Sequence, residues 1–301
     1  MSILHRWFGR AEDGTRPEGT GPILGGVALG DSPWLVLGGG GLRGLAHLGA
    51  WRALSRAGFR PSGILGTSIG ALVGACISAG LSLDELEERA RTLTRRDIAR
   101  VQRRTFWVGG IRNESVFRGE VLREYFESIL PSAGWKALEL RFQANAVELG
   151  SGRTEWFGLG ARTDVSLVDA VYASAALPLL YPPARLPGGL YVDGGVGDAL
   201  PLTRAQELGA TAIVAVDVGS GPEVDAGRVA GEGLVGIHQR VFSIAAQRRR
   251  IETVEGWKAP PLLYIRPRMD DYGTFDFEPI DYFLGEGERA TDERILAPTP
   301  A

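Results

Sequence analysis

The sequence predicts an α/β fold in three layers, a mostly parallel central sheet flanked by helices. Three observations carry that prediction. Residues 34–37 are a short apolar run that ends in Gly38-Gly39-Gly40-Gly41, the pattern of a buried strand entering a glycine turn. The same order repeats at Gly63-Ile64-Leu65-Gly66, followed by a mostly apolar helix over residues 69–81. Residues 212–216, Ala-Ile-Val-Ala-Val, then read as a third strand buried on both faces. Strands alternating with helices imply parallel pairing through right-handed crossovers.

The remaining elements follow in chain order. Residues 42–57 show helical spacing, with Leu45, Leu48 and Leu54 apolar and Gly58 as the C-terminal stop. Ser82, three residues ahead of Glu85, resembles a capping box and opens a helix expected to reach about Arg104. A helix is expected over 118–129 before Pro131, and a hairpin over 141–147 and 153–157 around Gly150-Ser151-Gly152. Residues 166–175 read as a helix stopped before Pro178, and 190–192 as a strand that ends at Asp193-Gly194-Gly195. Residues 203–208 and 235–252 are expected to be helical, 262–265 a strand, and the remainder an acidic tail. The expected organisation is a flexible tail over 1–32, a catalytic domain over 33–222 and a helical extension over 223–301.

At 301 residues the chain is long enough for one large domain. Its 44% hydrophobic and 23% charged residues are those of an ordinary globular protein, and a net charge of -3 argues against a dedicated nucleic-acid binder. A single cysteine, Cys76, rules out an internal disulfide and suits a reducing compartment, so a cytoplasmic location is expected. Residues 61–83 carry no charge and are long enough to cross a bilayer. They also hold Pro61, five glycines, four serines and a threonine, and divide into strand, turn and helix. A buried core element is the better reading.

Two glycine-rich turns carry the chemistry. The loop Gly38-Gly39-Gly40-Gly41-Leu42-Arg43-Gly44 lets backbone approach a ligand closely, with a helix start offering N–H groups to negative charge. Gly39, Gly41 and Gly44 satisfy G-x-G-x-x-G, but no Asp or Glu occurs between Gly44 and Asp84, where a dinucleotide site wants one. The Lys-Ser/Thr pair of a P-loop is missing as well, since Leu45-Ala46 follows Gly44. The transient oxyanion of an acyl transfer remains. Gly66-Thr67-Ser68-Ile69-Gly70 is a G-x-S-x-G turn between strand and helix, where flanking glycines let a serine project its oxygen; a plain serine N-cap is the alternative. Asp193-Gly194-Gly195 alone is no more than a common turn.

Ser68 needs a base. Of three histidines, His5 lies in the tail, and His47 sits in the helix after the glycine loop, where a structural role is expected. His238 completes the chain order Ser68, Asp193, His238 of an α/β-hydrolase triad, yet no turn signal presents it.

Taken together, the glycine loop, Gly66-Thr67-Ser68-Ile69-Gly70 and Asp193-Gly194-Gly195 resemble the patatin-like phospholipases, particularly the bacterial branch related to neuropathy target esterase. The likeness covers residues 34–219. It implies the patatin-like version of the three-layer fold and a Ser–Asp dyad without histidine or cofactor, Ser68 as nucleophile and Asp193 as base. It further implies backbone N–H groups of Gly39, Gly40 and Gly41 as the oxyanion hole, with Arg43 beside them. Two places depart from the family pattern: Gly38 stands where an Asp is common, and the hairpin, which commonly begins with a Thr-Asp pair, here has the run Ala144-Asn145-Ala146-Val147. The second departure is expected to alter the substrate pocket.

The expected reaction is hydrolysis of carboxylic esters of phospholipids or lysophospholipids through an acyl-enzyme. The alternatives are a general carboxylesterase or acyltransferase on the same dyad, and a non-catalytic lipid-binding protein. Residues 89–104 hold seven arginines and one acid, and Phe106-Trp107 follow. With Arg89, Arg96, Arg100 and Arg103 on one helical face, this stretch is read either as a solvated face or as peripheral contact with an anionic membrane surface. Residues 270–293 carry nine acids and one arginine, so the two stretches are also expected partners for each other or for a second subunit.

Overall fold

The computed structural model describes residues 22–101, 113–221 and 224–296. A small ribbon of β1 (Ile23–Leu24) and β2 (Val27–Ala28) precedes the sheet. Then come β3 (Pro33–Leu37), α1 (Ala46–Arg56), β4 (Gly63–Gly66), α2 (Ile69–Ser78), α3 (Leu83–Thr92) and α4 (Arg95–Ile98). The middle of the chain supplies α5 (Gly119–Ile129), β5 (Arg141–Glu148), β6 (Thr154–Gly158), α6 (Leu167–Ala175), β7 (Ala184–Leu186) and β8 (Gly189–Asp193). It closes with α7 (Leu202–Glu207), β9 (Ala212–Val216), α8 (Ala226–Gly231), α9 (Gly233–Glu255), β10 (Leu262–Ile265) and α10 (Ile280–Leu296).

The sheet order is β10-β9-β3-β4-β5-β8-β7, parallel from β10 to β5, with β6 antiparallel on the other edge of β5. Successive β3 residues serve opposite layers. Leu35 and Leu37 join the larger core under α1 and α2, while Trp34 and Val36 join a smaller one with Leu202 and Ala205 of α7. Both faces are covered, which is why these strands read as continuous apolar runs. The uncharged stretch 61–83 becomes β4 and the fully enclosed helix α2.

Two expected elements differ. The helix begun at Ser82 stops at Thr92, because Thr94 and Asp97 form a capping box of their own and restart the chain as α4. Arg89 and Arg96 therefore sit on separate helices, and Arg100 beyond both, so these three do not share one helix. Arg103, Phe106 and Trp107 lie outside the described residues, as does residue 1–21 of the expected tail.

The second difference is larger. The expected acidic tail contains α10, and the expected extension beyond 222 is woven into the main body. Strand β10 pairs with β9, and α10 crosses α1. A Cβ at Gly49 would collide with the Leu284 carbonyl, and one at Gly287 with that of Ala46, so the two glycines permit the close crossing. Ile280, Phe283, Leu284 and Ala290 face the core, while Glu288 and Asp292 reach Arg56 at 2.6 Å each. The arginine-rich and acidic stretches do meet within the chain, Arg91 Nε lying 2.9 Å from Asp281.

Candidate active site

Strands β4 and β8 reach one edge of β5 from opposite directions. Gly66 at the end of β4 pairs with Ala144, and Asp193 at the end of β8 pairs with Ala146. The two C-terminal ends thus point at each other, with Asn145 between them. Its Oδ1 accepts from the Thr67 hydroxyl at 2.9 Å, and its Nδ2 donates to the carbonyls of Asp198 at 2.8 Å and Gly194 at 3.4 Å. Asn145 is fully buried and ties the serine turn to the aspartate turn. It lines neither cavity beside Ser68.

Ser68 sits at φ 56° and ψ -123°, a backbone conformation that non-glycine residues seldom adopt. Packing holds it there. A Cβ at Gly66 would meet the Gly70 carbonyl, and a Cβ at Gly70 would meet that of Leu37. The Ser68 N–H donates to the buried Ser174 Oγ at 2.9 Å. No cap hydrogen bond engages the Ser68 side chain, so it is not a plain N-cap of α2. Ser68 and Asp193 line the same cavity, and the serine side chain influences the carboxyl.

Asp193 is buried, and that burial pushes its carboxyl up to about 6, against the opposing hydrogen-bonding influence of Ser68 and the Gly195 N–H. Oδ1 accepts from Gly195 N–H at 2.7 Å, while Oδ2 has no partner of full hydrogen-bond geometry.

The glycine loop sits opposite. Gly39 N–H donates to the Ala199 carbonyl at 3.0 Å and Gly38 N–H to that of Val216, so both are committed to holding the loop. The N–H groups of Gly40 and Gly41 have no acceptor among the described residues. Gly40 has no room for a side chain against the Val218 carbonyl, and Gly41 has a φ of +62°. His47 is buried beneath the loop and accounts for its shape. Its Nε2 lies 2.8 Å from the Gly38 carbonyl, and burial lowers its pKa to about 4, so it is a neutral ring donating to that oxygen.

Arg43 is buried too. Its guanidinium donates to the Gly40 carbonyl at 3.1 Å, the Tyr272 carbonyl at 3.3 Å and Ser220 Oγ at 2.9 Å. Desolvation, helped by nearby Arg250, lowers its pKa to about 10, which leaves it charged at neutral pH. Behind it, Asp217 Oδ2 takes Arg250 Nε at 2.8 Å, the Tyr264 hydroxyl at 2.6 Å and Arg266 Nη1 at 3.3 Å. Burial alone would raise that carboxyl; the two guanidiniums outweigh it and hold Asp217 below the usual range.

Ser68, Asp193, Gly39, Gly40, Gly41 and Arg43 all line one cavity, roofed by Gln239, Phe242, Ser243 and Ala246 of α9. His238 is on the same helix but solvent-exposed, and it does not line the cavity. A second cavity opens from Ser68 on its other side. It is the roomier, about 80 Å³ against 40 Å³, and its wall is apolar: Leu72, Leu122, Tyr125, Phe126, Tyr181 and Phe275 are typical. It abuts a further apolar hollow through Leu45, Ile69, Leu72 and Tyr125. Among the described residues no group of three or more His, Cys, Asp or Glu is placed to hold a metal ion.

A family model described as patatin-like phospholipase matches residues 35–205. The chain belongs to the patatin-like phospholipase family. NTE family proteins of Mycobacterium bovis and Mycobacterium tuberculosis are 34% identical over 195 residues, 64% of this chain and 51% of theirs. The chain therefore spans about half the length of these relatives. Lysophospholipase nte1 of Aspergillus niger is 31% identical over 280 residues, 85% of this chain and 18% of that protein. The crystal structure of VipD from Legionella pneumophila shares the fold at a TM-score of 0.50 and 14% identity, over 89% of this chain and 67% of that one. Among the described residues no helix is long and apolar enough to cross a membrane.

Proposed function

We propose that this patatin-like chain is a serine hydrolase that cleaves carboxylic esters of phospholipids or lysophospholipids. One observation carries the reading: Ser68 stands where a chamber holding Asp193, Arg43 and Ser220 meets a roomier groove lined by apolar side chains. An ester with a long acyl chain fits that division, its carbonyl at Ser68, its chain in the groove and its alcohol portion toward Arg43 and Ser220.

In the first half-reaction the Ser68 hydroxyl gives its proton to Asp193 Oδ2 as Oγ bonds to the carbonyl carbon. A carboxyl raised to about 6 by burial is a stronger base than a solvated one, near the operating pH that general-base catalysis favours. The unengaged N–H groups of Gly40 and Gly41 receive the charge that develops on the carbonyl oxygen. Gly39 and the Arg43 guanidinium hold the loop in place, Arg43 through its bond to the Gly40 carbonyl. Collapse breaks the ester bond, and the departing alcohol takes the proton from Asp193. Water, deprotonated by the same carboxylate, then releases the fatty acid and restores Ser68.

The deciding experiment is fluorophosphonate labelling together with ester hydrolysis by wild type, Ser68→Ala, Asp193→Asn and His238→Ala. Labelling and hydrolysis are lost in Ser68→Ala, hydrolysis is lost in Asp193→Asn, and both persist in His238→Ala. Full hydrolysis by Ser68→Ala defeats the proposal, and a folded but inactive His238→Ala replaces the dyad with a triad.

A further inference from the structure

Asp217 is a buried carboxylate that the proposed reaction does not use. It follows β9 directly and, like its partner Arg250, lies beyond the residues 35–205 that the family model matches. Its Oδ1 accepts from the Gly219 N–H at 2.9 Å, so the carboxylate folds the turn that comes after it. Its Oδ2 takes Arg250 Nε, and Arg250 Nη2 reaches on to the Ser220 carbonyl at 3.2 Å. A Cβ at Gly219 would lie 2.0 Å from Arg250 Nη1, so the guanidinium rests directly against the backbone of the turn. One carboxylate and one guanidinium thus pin turn 217–220 to α9.

The other side of that turn seats the glycine loop. A Cβ at Gly40 would lie 2.3 Å from the Val218 carbonyl oxygen, and Gly38 N–H donates to the Val216 carbonyl at 3.0 Å. Arg43 joins loop to turn, with Nε on the Gly40 carbonyl and Nη2 on Ser220 Oγ. The Gly40 carbonyl and the Gly41 N–H belong to one planar trans peptide and point opposite ways. Whatever fixes the carbonyl therefore aims the N–H. A buried ion pair is weak support for stability compared with apolar residues of the same volume, so stability alone does not account for Asp217 and Arg250.

We infer that Asp217 and Arg250 are positioning residues for the oxyanion hole: they fix turn 217–220 and, through Ser220 and Arg43, the peptide that carries the Gly41 N–H. The inference rests on the hydrolase reading above, since only there does that N–H have an oxyanion to receive. It gives the chain beyond the matched region a share in the reaction itself.

The test uses the full chain, a water-soluble short-chain ester and an alkyl trifluoromethyl ketone. Ser68 Oγ bonds to the ketone carbon as its proton passes to Asp193, and the ketone oxygen becomes an oxyanion where the transition state has one. The matching trifluoromethyl alcohol cannot form that bond and reports binding alone. Arg250→Lys keeps a cation facing Asp217 and so keeps the fold, but an ammonium lacks the fork that spans the carboxylate and the Ser220 carbonyl. It lowers kcat/KM and weakens the ketone by the same factor, about tenfold or more, while KM for the ester and Kd for the alcohol stay unchanged. Leu54→Ala, a core change in α1, lowers the melting temperature and leaves ketone binding at the wild-type value. If Arg250→Lys does not fold, Gly219→Ala is read in its place, because its methyl displaces Nη1 with both charges kept.

The inference is overturned if the folded variant binds the ketone and turns over the ester as wild type does, which makes the pair an element of the fold only. It is also overturned if alcohol binding falls as far as ketone binding, which makes Arg250, a lining residue of the cavity, a contact for the unreacted substrate. A wild type that forms no ketone adduct overturns the hydrolase reading and the inference together. An adduct formed equally well by wild type and variant overturns the inference alone.

Discussion

Ser68 and Asp193 are brought together by a two-residue step on β5: the strand leading to the serine ends opposite Ala144, and the strand ending in the aspartate ends opposite Ala146. Two strands of opposite sense share one edge, and their ends converge. A parallel sheet alone would not produce this, because β8 must run against β4 for the two ends to meet.

The pH dependence of hydrolysis follows from Asp193. Acting as a base it must be ionised, so activity is present above about 6 and falls as pH drops through that value. Stability runs the other way. The folded carboxyl binds protons more tightly than the ordinary 3.8, so its protonated form favours folding, and this contribution is lost as pH rises from about 4 through about 6. A kcat/KM profile and a thermal melting series over that range read both slopes, and Asp193→Asn abolishes the second.

Replacing Asn145 tests the clamp. In Asn145→Ala the Asp198 and Gly194 carbonyls lose their amide donor in a dry site, a loss worth about 1–3 kcal/mol of stability. The serine and aspartate turns then lose their common tie, so kcat falls while KM for a soluble ester changes little. Urea unfolding and steady-state kinetics on one preparation supply both numbers.

Filling the apolar groove separates chain binding from chemistry. Leu122 lines the groove without lining the Asp193 chamber. Leu122→Trp lowers kcat/KM for an octanoyl ester relative to an acetyl ester by about tenfold or more, since each methylene that no longer fits forfeits about 1–3 kcal/mol. Equal loss on both esters would show that the groove does not hold the acyl chain.

Much of the fold was legible in the sequence. Strands 34–37, 63–66 and 212–216 announce themselves because burial on both faces leaves no room for polar residues. Gly58 marks its helix end through a φ of +80°, with Phe59 N–H returning to the Leu54 carbonyl. Helix α10 was not legible. Its acids suggested a solvated tail, while what places it is the Gly49–Gly287 crossing, a pairing of residues 238 positions apart by their numbers. Site features divided in the same way. Short-range motifs located the serine and aspartate turns and the glycine loop. Asn145 showed only as a polar residue in an apolar strand, and Arg250 lay hidden in Arg248-Arg249-Arg250, where nothing local distinguishes the buried member. The commitment of Gly39 N–H to Ala199 depends on a loop 160 positions away and leaves no trace in the motif itself.

The crossing of α10 over α1 also sets where this protein can be cut. A fragment ending at residue 205, where the family match ends, discards β9 and β10 and leaves β3 as an unprotected edge of bare amides beside a stripped apolar helix. Ending it at 221 keeps β9 but removes Arg250 and Arg266 from Asp217, stranding a carboxylate in a dry interior. The smallest portable unit for grafting, display or recombination therefore runs through α10, some 90 residues past the recognisable motif region.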